Sequence, residues 1–359
     1  MPIPTMLATF DQRTAALTQL GVVMAHLARA EPWPGHGIGL DRMEYDALDA
    51  VVRGAYATNG WFTEENVRHA FGSWADALDG EGLKRWCDTY PALSSARSPV
   101  RTVGIILAGN IPLVGLHDVL SVWLAGHRAK VKCSSQDPAL IPGLIDVLER
   151  FVPGTATRIT FSPGRLGEVE AMIATGSNNT ARYFEHYFGH LPRIIRKSRT
   201  SVAVLDGTET PEELASLGED VFRYFGLGCR NVSKLYVPND FELDRFFTAV
   251  FPWKDIVLHN KYGNNYDYTR ALWMLDGVKF LENGFLLVKE DEALASPMAS
   301  VFVQRYTDRG AVDYELAAQA ESLQCIIGHH ALPFGKAQTP GLADFADGVD
   351  TLRFLLDLK

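Results

Sequence analysis

Cysteine is scarce in this sequence, and its few copies follow no recognisable pattern. The four residues are Cys87, Cys133, Cys229 and Cys325, and no Cys-x-x-Cys pair occurs. Such wide separation excludes a disulfide framework and a zinc-finger type of metal site. We therefore expect reduced thiols, as in a cytoplasmic protein, and no bound metal.

Long apolar runs and basic runs are also missing. No stretch approaches the ~18 apolar residues of a membrane-spanning helix, and the first residues do not resemble a signal peptide. Lysine and arginine number 34 against 43 acidic residues, a net charge of −9, which argues against a nucleic-acid-binding surface. The hydrophobic fraction, 47%, is typical of a globular protein. We expect a soluble, cytoplasmic protein that neither binds nucleic acid nor inserts stably into a membrane.

The first 98 residues carry helical patterns separated by proline and glycine. The spacing of apolar residues predicts helices over 5–30, 40–57, 63–77 and 81–90. We expect this segment to form a helical cap that belongs to the lobe following it.

From residue 99 the pattern changes to short apolar strands that alternate with helices. Strands are predicted near 102–107, 129–132 and 157–161, and helices near 113–125, 140–151, 165–174 and 178–187. Such alternation is typical of a doubly wound parallel sheet, here over 99–195. A second α/β run fills 196–330, with strands near 201–205 and 234–237 and a helix over 211–224, and 331–359 completes the fold. The chain is predicted to be an α/β protein.

Cys229 differs from the other cysteines in its neighbours. It follows Phe225-Gly226-Leu227-Gly228, a glycine-rich turn between a predicted helix and a predicted strand. Glycines let the backbone turn tightly and let a ligand approach closely. The sequence therefore favours Cys229 as a nucleophile, although most unpaired cysteines are small buried hydrophobes.

Five local patterns occur in an order that resembles the aldehyde dehydrogenase superfamily. They are Gly109-Asn110-Ile111-Pro112, Lys130-Val131-Lys132-Cys133-Ser134-Ser135, Thr175-Gly176-Ser177, the turn at Cys229, and Pro333-Phe334-Gly335 followed by Ala346-Asp347-Gly348. Their details look like the acyl-CoA reductase branch, the LuxC-like fatty acyl reductases. The resemblance implies a Rossmann-type cofactor lobe, an α/β catalytic lobe and an active site in the cleft between them.

The resemblance also implies roles for single residues. Cys229 would be the nucleophile, and the Asn110 amide with the Cys229 N–H would form the oxyanion hole. Lys132 would reach the adenosine ribose, and Thr175, Gly176 and Ser177 would start a helix that binds pyrophosphate. Ser135 stands where NAD-preferring relatives carry glutamate, which favours NADPH and leaves NADH possible. Asp137 nearby could restore repulsion of a 2′-phosphate.

Departures from the superfamily pattern sharpen the expected reaction. The stretch from Gly189 to Lys197 contains no carboxylate where hydrolytic relatives carry the glutamate of Glu-Leu-Gly-Gly-Lys. Without that base to activate water, an acyl-cysteine would react with hydride instead of being hydrolysed. Gly109 and Leu227 replace the usual tryptophan and glutamine, and Ser296-Pro297-Met298-Ala299-Ser300 replaces Glu-x-Phe-Gly-Pro, so no cofactor role is assigned there.

The expected reaction is NADPH-dependent reduction of an acyl-CoA, or an acyl carrier protein thioester, to a fatty aldehyde. Two alternatives stay open: a CoA-acylating aldehyde dehydrogenase running in the oxidative direction, and a non-catalytic partner that binds acyl groups or a dinucleotide. His117 and His127 are candidate proton donors, although each could simply be solvated. The superfamily's strand-exchanged oligomers imply a homodimer.

Overall fold

The computed structural model describes residues 8–94 and 99–358, and the chain forms two compact units. Unit 1 runs up to Lys197 and takes up the chain again from Pro340, while unit 2 comprises Ser198–Thr339. No helix within the described ranges combines the length and apolarity needed to cross a bilayer.

Four helices open unit 1 and confirm the predicted helical segment. They are α1 (Phe10–Ala28), α2 (Arg42–Thr58), α3 (Glu64–Ala77) and α4 (Gly80–Asp88). The first two begin in capping boxes, in which Thr9 and Asp41 accept the N–H of the third helical residue. Residues 5–7 of the first predicted helix lie outside the described residues.

A five-stranded parallel sheet forms the centre of unit 1. Its strands are β1 (Thr102–Ile106), β2 (Arg128–Lys132), β3 (Ile159–Phe161), β4 (Ala171–Thr175) and β5 (Arg193–Arg196). They lie in the order β3-β2-β1-β4-β5. The helices between them are α5 (Leu116–Leu124), α6 (Leu140–Phe151), α7 (Thr155–Arg158) and α8 (Asn178–Phe188). The chain grows to one side of β1 and then to the other, which is the doubly wound pattern predicted from the sequence.

One predicted element in unit 1 is wrong. The sequence predicted a helix over 165–174, but β4 occupies Ala171–Thr175 and pairs with both β1 and β5. Its first four residues are buried. A short strand that is buried on both faces shows no alternation of polar and apolar residues, so its pattern is easily confused with that of a buried helix.

Unit 2 is built on a six-stranded sheet in the order β11-β6-β7-β10-β9-β8. All neighbouring pairs are parallel except β8 with β9. The strands are β6 (Thr200–Val204), β7 (Val232–Pro238), β8 (Leu281–Glu282), β9 (Leu287–Glu290), β10 (Ser300–Tyr306) and β11 (Leu323–Ile327). The helices are α9 (Pro211–Phe222), α10 (Leu243–Val250), α11 (Asn260–Leu275) and α12 (Arg309–Ala318).

A buried ion pair fastens the last helix, α13 (Thr351–Leu356), to unit 1. Arg196 at the end of β5 donates to Asp118 of α5 at 2.7 Å and to the Thr351 hydroxyl at 2.8 Å. It also donates to the carbonyl of Ala346 at 2.6 Å. Removing one partner of such a pair would leave a buried charge uncompensated, so Arg196 is a structural residue.

Candidate active site

Cys229 lies in a four-residue turn immediately before β7. The N–H of Asn231 donates to the carbonyl of Gly228 at 3.0 Å, which closes the turn around the cysteine. The thiol-bearing residue is half-buried and is therefore not packed away in the core. The turn follows α9 through a short non-helical connection, residues 223–226, as the glycine pattern predicted.

The side chain of Asn231 holds this turn against the end of α9. Asn231 is 3% exposed. Its Nδ2 donates to the carbonyls of Arg223 at 2.9 Å and of Asp220 at 3.1 Å, and its Oδ1 accepts the N–H of Gly228 at 2.8 Å. The last carbonyls of a helix have no partner within the helix, so Asn231 satisfies them and fixes the turn at the same time.

Further hydrogen bonds hold Cys229 and Arg230, the two residues of the turn that follow Gly228. The Ser201 hydroxyl donates to the carbonyl of Cys229 at 2.9 Å and accepts the N–H of Cys325 at 3.0 Å. The Arg230 Nε donates to the carbonyl of Ala337 at 2.6 Å. The backbone of Cys229 is therefore held from β6 on one side and from the 335–337 loop on the other.

Asp220 anchors that loop in turn. Its carboxylate is fully buried and accepts the N–H groups of Gly335 at 2.7 Å and Ala337 at 2.8 Å. Burial raises the pKa of Asp220 to about 6, against the lowering effect of these two bonds. The Pro333-Phe334-Gly335 motif thus has a structural function in unit 2, because it links Asp220 to Arg230.

The backbone just before the cysteine turn is left-handed at three consecutive residues. Tyr224 has φ +56°, Phe225 φ +60° and Gly226 φ +76°. A left-handed conformation costs roughly 1–2 kcal/mol for a residue other than glycine. Both aromatic side chains are buried, and Phe225 packs on His259 with ring centroids 4.2 Å apart, which offsets that cost.

Two of the other cysteines are poor candidates for a nucleophile. Burial raises the pKa of Cys87 to about 12 and that of Cys133 to about 11. The thiolate is the reactive form, so both thiols are inert near neutral pH.

Asn110 lies in unit 1, in the loop that follows β1. The carbonyl of its neighbour Gly109 accepts a bond from Asn59 Nδ2 at 3.1 Å, and Asn59 is 2% exposed. A Cβ at position 109 would lie 2.6 Å from Ser134 Oγ and 2.8 Å from Gln136 Cβ. Position 109 therefore has no room for the tryptophan of the superfamily pattern, and the loop is held between α2 and the segment after β2.

The cofactor residues predicted from sequence meet at one edge of the unit 1 sheet. Lys132 ends β2, Ser135 follows it, and Thr175 ends β4. Because β2 and β4 both pair in parallel with β1, their carboxyl ends share the edge at which Asn110 lies. The chain order reverses between β1 and β4, which is where ligands bind in open parallel sheets.

The third motif forms the start of α8, as predicted. Ser177 is the N-cap, and its hydroxyl accepts the N–H of Thr180 at 3.2 Å. The N–H of Gly176 donates to the carbonyl of Arg196, so it is already used within the sheet. A Cβ at Gly176 would come within 3.1 Å of Thr180 and Phe184. Gly176 contributes close packing at this point, and the helix terminus provides the positive end of a dipole.

The carboxylate of Asp137 is engaged by main-chain groups. Its carboxylate is buried and accepts the N–H groups of Leu113 at 3.2 Å and Leu140 at 3.3 Å. Burial raises its pKa to about 6, against these two bonds. Asp137 joins the loops that follow β1 and β2, so it is a structural residue.

The histidines considered as proton donors are also structural. Nδ1 of His127 accepts the N–H of Arg101 at 3.1 Å, so its Nε2 donates to the carbonyl of Leu355 at 3.0 Å. His117 Nε2 donates to the carbonyl of Leu342 at 3.0 Å, and burial lowers the pKa of His117. Both rings therefore already bond to main-chain groups.

His329 has carboxylate partners that the sequence spacing did not predict. Its Nδ1 bonds to Asp206 at 2.8 Å and its Nε2 to Glu213 at 3.2 Å. Atoms of Asp206, Glu209 and His329 lie within 4.8 Å of one another. Both ring nitrogens are engaged by carboxylates, and Glu209 accepts the N–H groups of Asp206 and Gly207, so hydrogen bonds and ion pairs account for the cluster.

Solved structures with the same architecture are aldehyde dehydrogenases and related enzymes. An indole-3-acetaldehyde dehydrogenase mutant from P. syringae, in complex with NAD+ and IAA, has a TM-score of 0.60 at 14% identity, covering 90% of this chain and 72% of that chain. For an E. coli NADP-dependent enzyme the TM-score is 0.61 at 15% identity, with 89% and 73% covered. Aldehyde dehydrogenase 21 from Physcomitrella patens, in complex with the reaction product succinate, gives 0.59 at 14% identity, with 91% and 75% covered.

This chain has the aldehyde dehydrogenase fold. No protein-family model matches the sequence, and the search of curated proteins found no match. The predicted fold is therefore confirmed by architecture, while the acyl-CoA reductase branch stays a prediction.

The structure shows what the residues do in two stretches that depart from the superfamily pattern. The stretch without carboxylate contains β5, where Arg193 pairs with Glu185 of α8 at 2.8 Å and Arg196 pairs with Asp118. The stretch from Ser296 to Ser300 leads into β10, and Ala299 there has φ +60°.

The sequence did not predict the residues whose hydrogen bonds hold the loops of Cys229 and Asn110. Asn231, Asp220 and Asn59 are buried polar residues whose bonds hold the two loops. Asn231, two positions after the cysteine in a glycine turn, could have been found because asparagine often bonds the backbone in turns. Asp220 and Asn59 bond to residues 115 and 50 positions away in sequence, so no local signal marks them.

Proposed function

We propose that this protein reduces an acyl thioester, carried by coenzyme A or an acyl carrier protein, to the aldehyde with NADPH as the hydride donor. The observation that carries the proposal is the braced turn of Cys229 in an aldehyde dehydrogenase fold. A half-buried thiol whose backbone is fixed by Asn231, Ser201 and Arg230 is a preorganised nucleophile.

The first step is transfer of the acyl group to the protein. The Cys229 thiolate attacks the thioester carbonyl carbon, and the Asn110 amide and the Cys229 N–H stabilise the oxyanion that forms. The bond from that carbon to the sulfur of the carrier then breaks, and the carrier leaves as a thiolate that takes a proton from solvent. The acyl group remains on Cys229 as a new thioester.

The residues at the carboxyl edge of the unit 1 sheet fit a nicotinamide dinucleotide. Lysine, serine and threonine side chains and a helix start provide donors for ribose and pyrophosphate, and the sheet order reverses there. When bound, the reduced dinucleotide supplies a hydride. Cys229 presents the acyl carbon to receive it, and Asn110 again stabilises the negative oxygen. Cleavage of the bond from carbon to Sγ then releases the aldehyde and restores the Cys229 thiolate.

The absence of a carboxylate from residues 189–197 favours reduction over oxidation. Its polar groups are histidine, arginine and lysine, with no carboxylate to activate water. Its arginines are used in ion pairs with Glu185 and Asp118. Without a general base in this stretch to activate water, the acyl-cysteine would survive long enough to accept hydride.

NADPH is proposed because position 135 is a serine. A glutamate there would repel a 2′-phosphate, whereas Ser135 is exposed and uncharged. Asp137, the nearest acidic residue in sequence, is buried and bonded to Leu113 and Leu140. We further propose that the protein is a cytoplasmic homodimer. Light scattering of the purified protein would test the dimer.

The test combines acyl-CoAs of increasing chain length with NADPH or NADH, following absorbance and detecting the acyl adduct by intact mass. We expect an adduct on Cys229, aldehyde release and faster turnover with NADPH. The Cys229→Ser variant should lose both adduct and turnover, while Cys133→Ser, the matched control, should keep them. Unchanged activity of Cys229→Ser would remove the mechanism.

The Asn110→Ala variant separates the oxyanion assignment from the nucleophile. Loss of one preorganised donor should slow acylation roughly 10²–10³-fold. Normal acylation in this variant would remove Asn110 from the mechanism but leave Cys229 in place. Faster aldehyde oxidation than acyl reduction would favour the CoA-acylating direction, and ligand binding without hydride transfer would favour a non-catalytic role.

A further inference from the structure

Two arginines stand side by side at the amino edge of the unit 1 sheet. Arg128 is the first residue of β2, and Arg158 immediately precedes β3. The parallel register pairs Ala129 with Ile159, so the two arginines are neighbours across the ladder. Like charges placed opposite each other in a sheet are destabilising. This pair therefore needs a source of negative charge.

A third arginine reaches the same edge from α1. Arg13 is 9% exposed, and its Nη2 is 4.0 Å from where a Cβ on Gly126 would lie, in the turn leading into β2. The pKa of Arg13 is lowered by burial and, to a smaller extent, by the positive charge of Arg158. The pKa of Arg158 is lowered by burial and, to a smaller extent, by the positive charge of Arg128. The three guanidinium groups thus form one cluster, named here the arginine cluster.

Two nitrogens of the arginine cluster are buried without a hydrogen-bond partner among the described residues. They are Nε of Arg13 and Nη1 of Arg158. The only bond of the Arg13 guanidinium in the described chain runs from Nη1 to the carbonyl of Ala8 at 2.5 Å. A buried donor left without an acceptor loses the bonds it would make to water, so these groups need an acceptor.

No acidic side chain within 8–94 and 99–358 pairs with the arginine cluster. Arg101, at the same edge, shows the contrast, since it pairs with Glu170 at 2.6 Å. Residues 1–7, 95–98 and 359 include neither aspartate nor glutamate. In a chain with 43 acidic residues, three clustered arginines without an acidic partner are unexpected.

We propose that Arg13, Arg128 and Arg158 bind a phosphate group. Guanidinium donors match phosphate oxygens in pairs, and the negative charge of the anion would offset the repulsion among three positive charges. Arg128 is exposed and gives access, while Arg13 and Arg158 provide the buried donors. The cluster lies at the opposite end of β2 from Lys132, roughly 13 Å along the strand, so it is a second anion site, separate from the proposed dinucleotide residues.

The test is titration of the whole chain with inorganic phosphate at constant ionic strength, by calorimetry and by thermal melting. We expect one saturable site whose occupation raises the melting temperature. Arg158→Met should weaken phosphate binding by roughly tenfold or more. In phosphate-free buffer the same variant should melt no lower than wild type, because one of three repelling charges is gone. Arg53→Met, which alters an exposed arginine paired with Asp49, is the control and should bind phosphate normally.

Two outcomes would overturn the proposal. In the first, the wild-type chain binds no phosphate; in the second, Arg158→Met binds phosphate as tightly as the wild type. If Arg158→Met does not fold, the exposed Arg128→Met provides the same comparison. Adenosine 3′,5′-bisphosphate, titrated in parallel, identifies the source: tighter, Arg158-dependent binding indicates a phosphate carried on a nucleotide, whereas equal binding indicates the free ion. The Cys229→Ser variant should bind phosphate unchanged, so the result does not depend on the proposed reaction.

Discussion

Replacing Asn231 with alanine should destabilise unit 2 and release the Cys229 turn. The substitution removes three short hydrogen bonds, to Gly228, Asp220 and Arg223, with lengths of 2.8–3.1 Å, and a longer one to Val221 at 3.3 Å. Each such bond contributes about 1 kcal/mol net, so the free energy of unfolding should fall by about 3 kcal/mol. Asn231→Asp keeps only the bond from Gly228 and turns a carboxylate toward main-chain carbonyls. It should be at least as destabilising at neutral pH and should recover as the pH falls and the carboxyl group takes up a proton.

Urea unfolding and mass-spectrometric thiol labelling measure the two consequences. We expect iodoacetamide to label Cys229 faster in Asn231→Ala than in wild type, with little change at Cys87. Asn265→Ala is the control, because the Asn265 amide makes an exposed bond to the carbonyl of Lys261 within α11, so it should cost no more than about 0.5 kcal/mol. A loss below about 1 kcal/mol in Asn231→Ala, together with unchanged labelling of Cys229, would refute the assignment of Asn231 as the brace.

Three further predictions concern other parts of the molecule. Gly109→Ala should cost about 1–3 kcal/mol in urea unfolding because its Cβ would meet Ser134, whereas Gly54→Ala, with open space in α2, should stabilise by about 0.5–1 kcal/mol; equal effects would contradict this packing. Asn59→Ala should lose about 1–3 kcal/mol and slow acylation of Cys229 by releasing the Gly109 carbonyl, and a normal acylation rate would show that this bond does not position Asn110. Hydrogen bonds that the His329 ring donates to Asp206 and then to Glu213 raise the pKa of His329 above 6.5. The stabilising effect of His329 is therefore present below pH 6.5 and is lost as the pH rises through the pKa of the folded state. His329→Gln should lose about 1 kcal/mol near pH 6 and little near pH 9, and a pH-independent loss would exclude the ion pairs.

Much of the fold follows from local signals in the sequence. The helices of the first 90 residues have caps and breakers that can be read directly, such as Thr9, Asp41 and the glycines and prolines between them. β1 and β2 are short apolar runs separated by an amphipathic helix, which predicts their parallel pairing. β4 was missed because Ala171–Thr175 is buried on both faces. Its identity depends on pairing with β1 and β5, which are distant in sequence.

The candidate site was predictable where chemistry lies in one short segment and unpredictable where it depends on distant partners. The turn at Cys229, the loop at Asn110 and the start of α8 were predicted from local patterns, and the roles of Cys229 and Asn110 stay predictions. The functions of Asp137 and His127 were not, because their partners are main-chain groups up to 228 positions away. Sequence shows that a titratable group is present, but only the fold shows whether its bonds are already used.

The strain before Cys229 and the bonds after it serve the same end. A chain with Tyr224 and Phe225 left-handed would relax toward ordinary helix or strand if nothing opposed it, since each such residue costs roughly 1–2 kcal/mol. Here α9 ends at Phe222, Asn231 bonds to the carbonyls of Asp220 and Arg223, and the aromatic rings of residues 224 and 225 are buried. The backbone therefore leaves the helix sharply and arrives at Cys229 in a fixed direction. A thiol that only filled a core would need no such arrangement, whereas a nucleophile that must meet a carbonyl carbon at a set angle does.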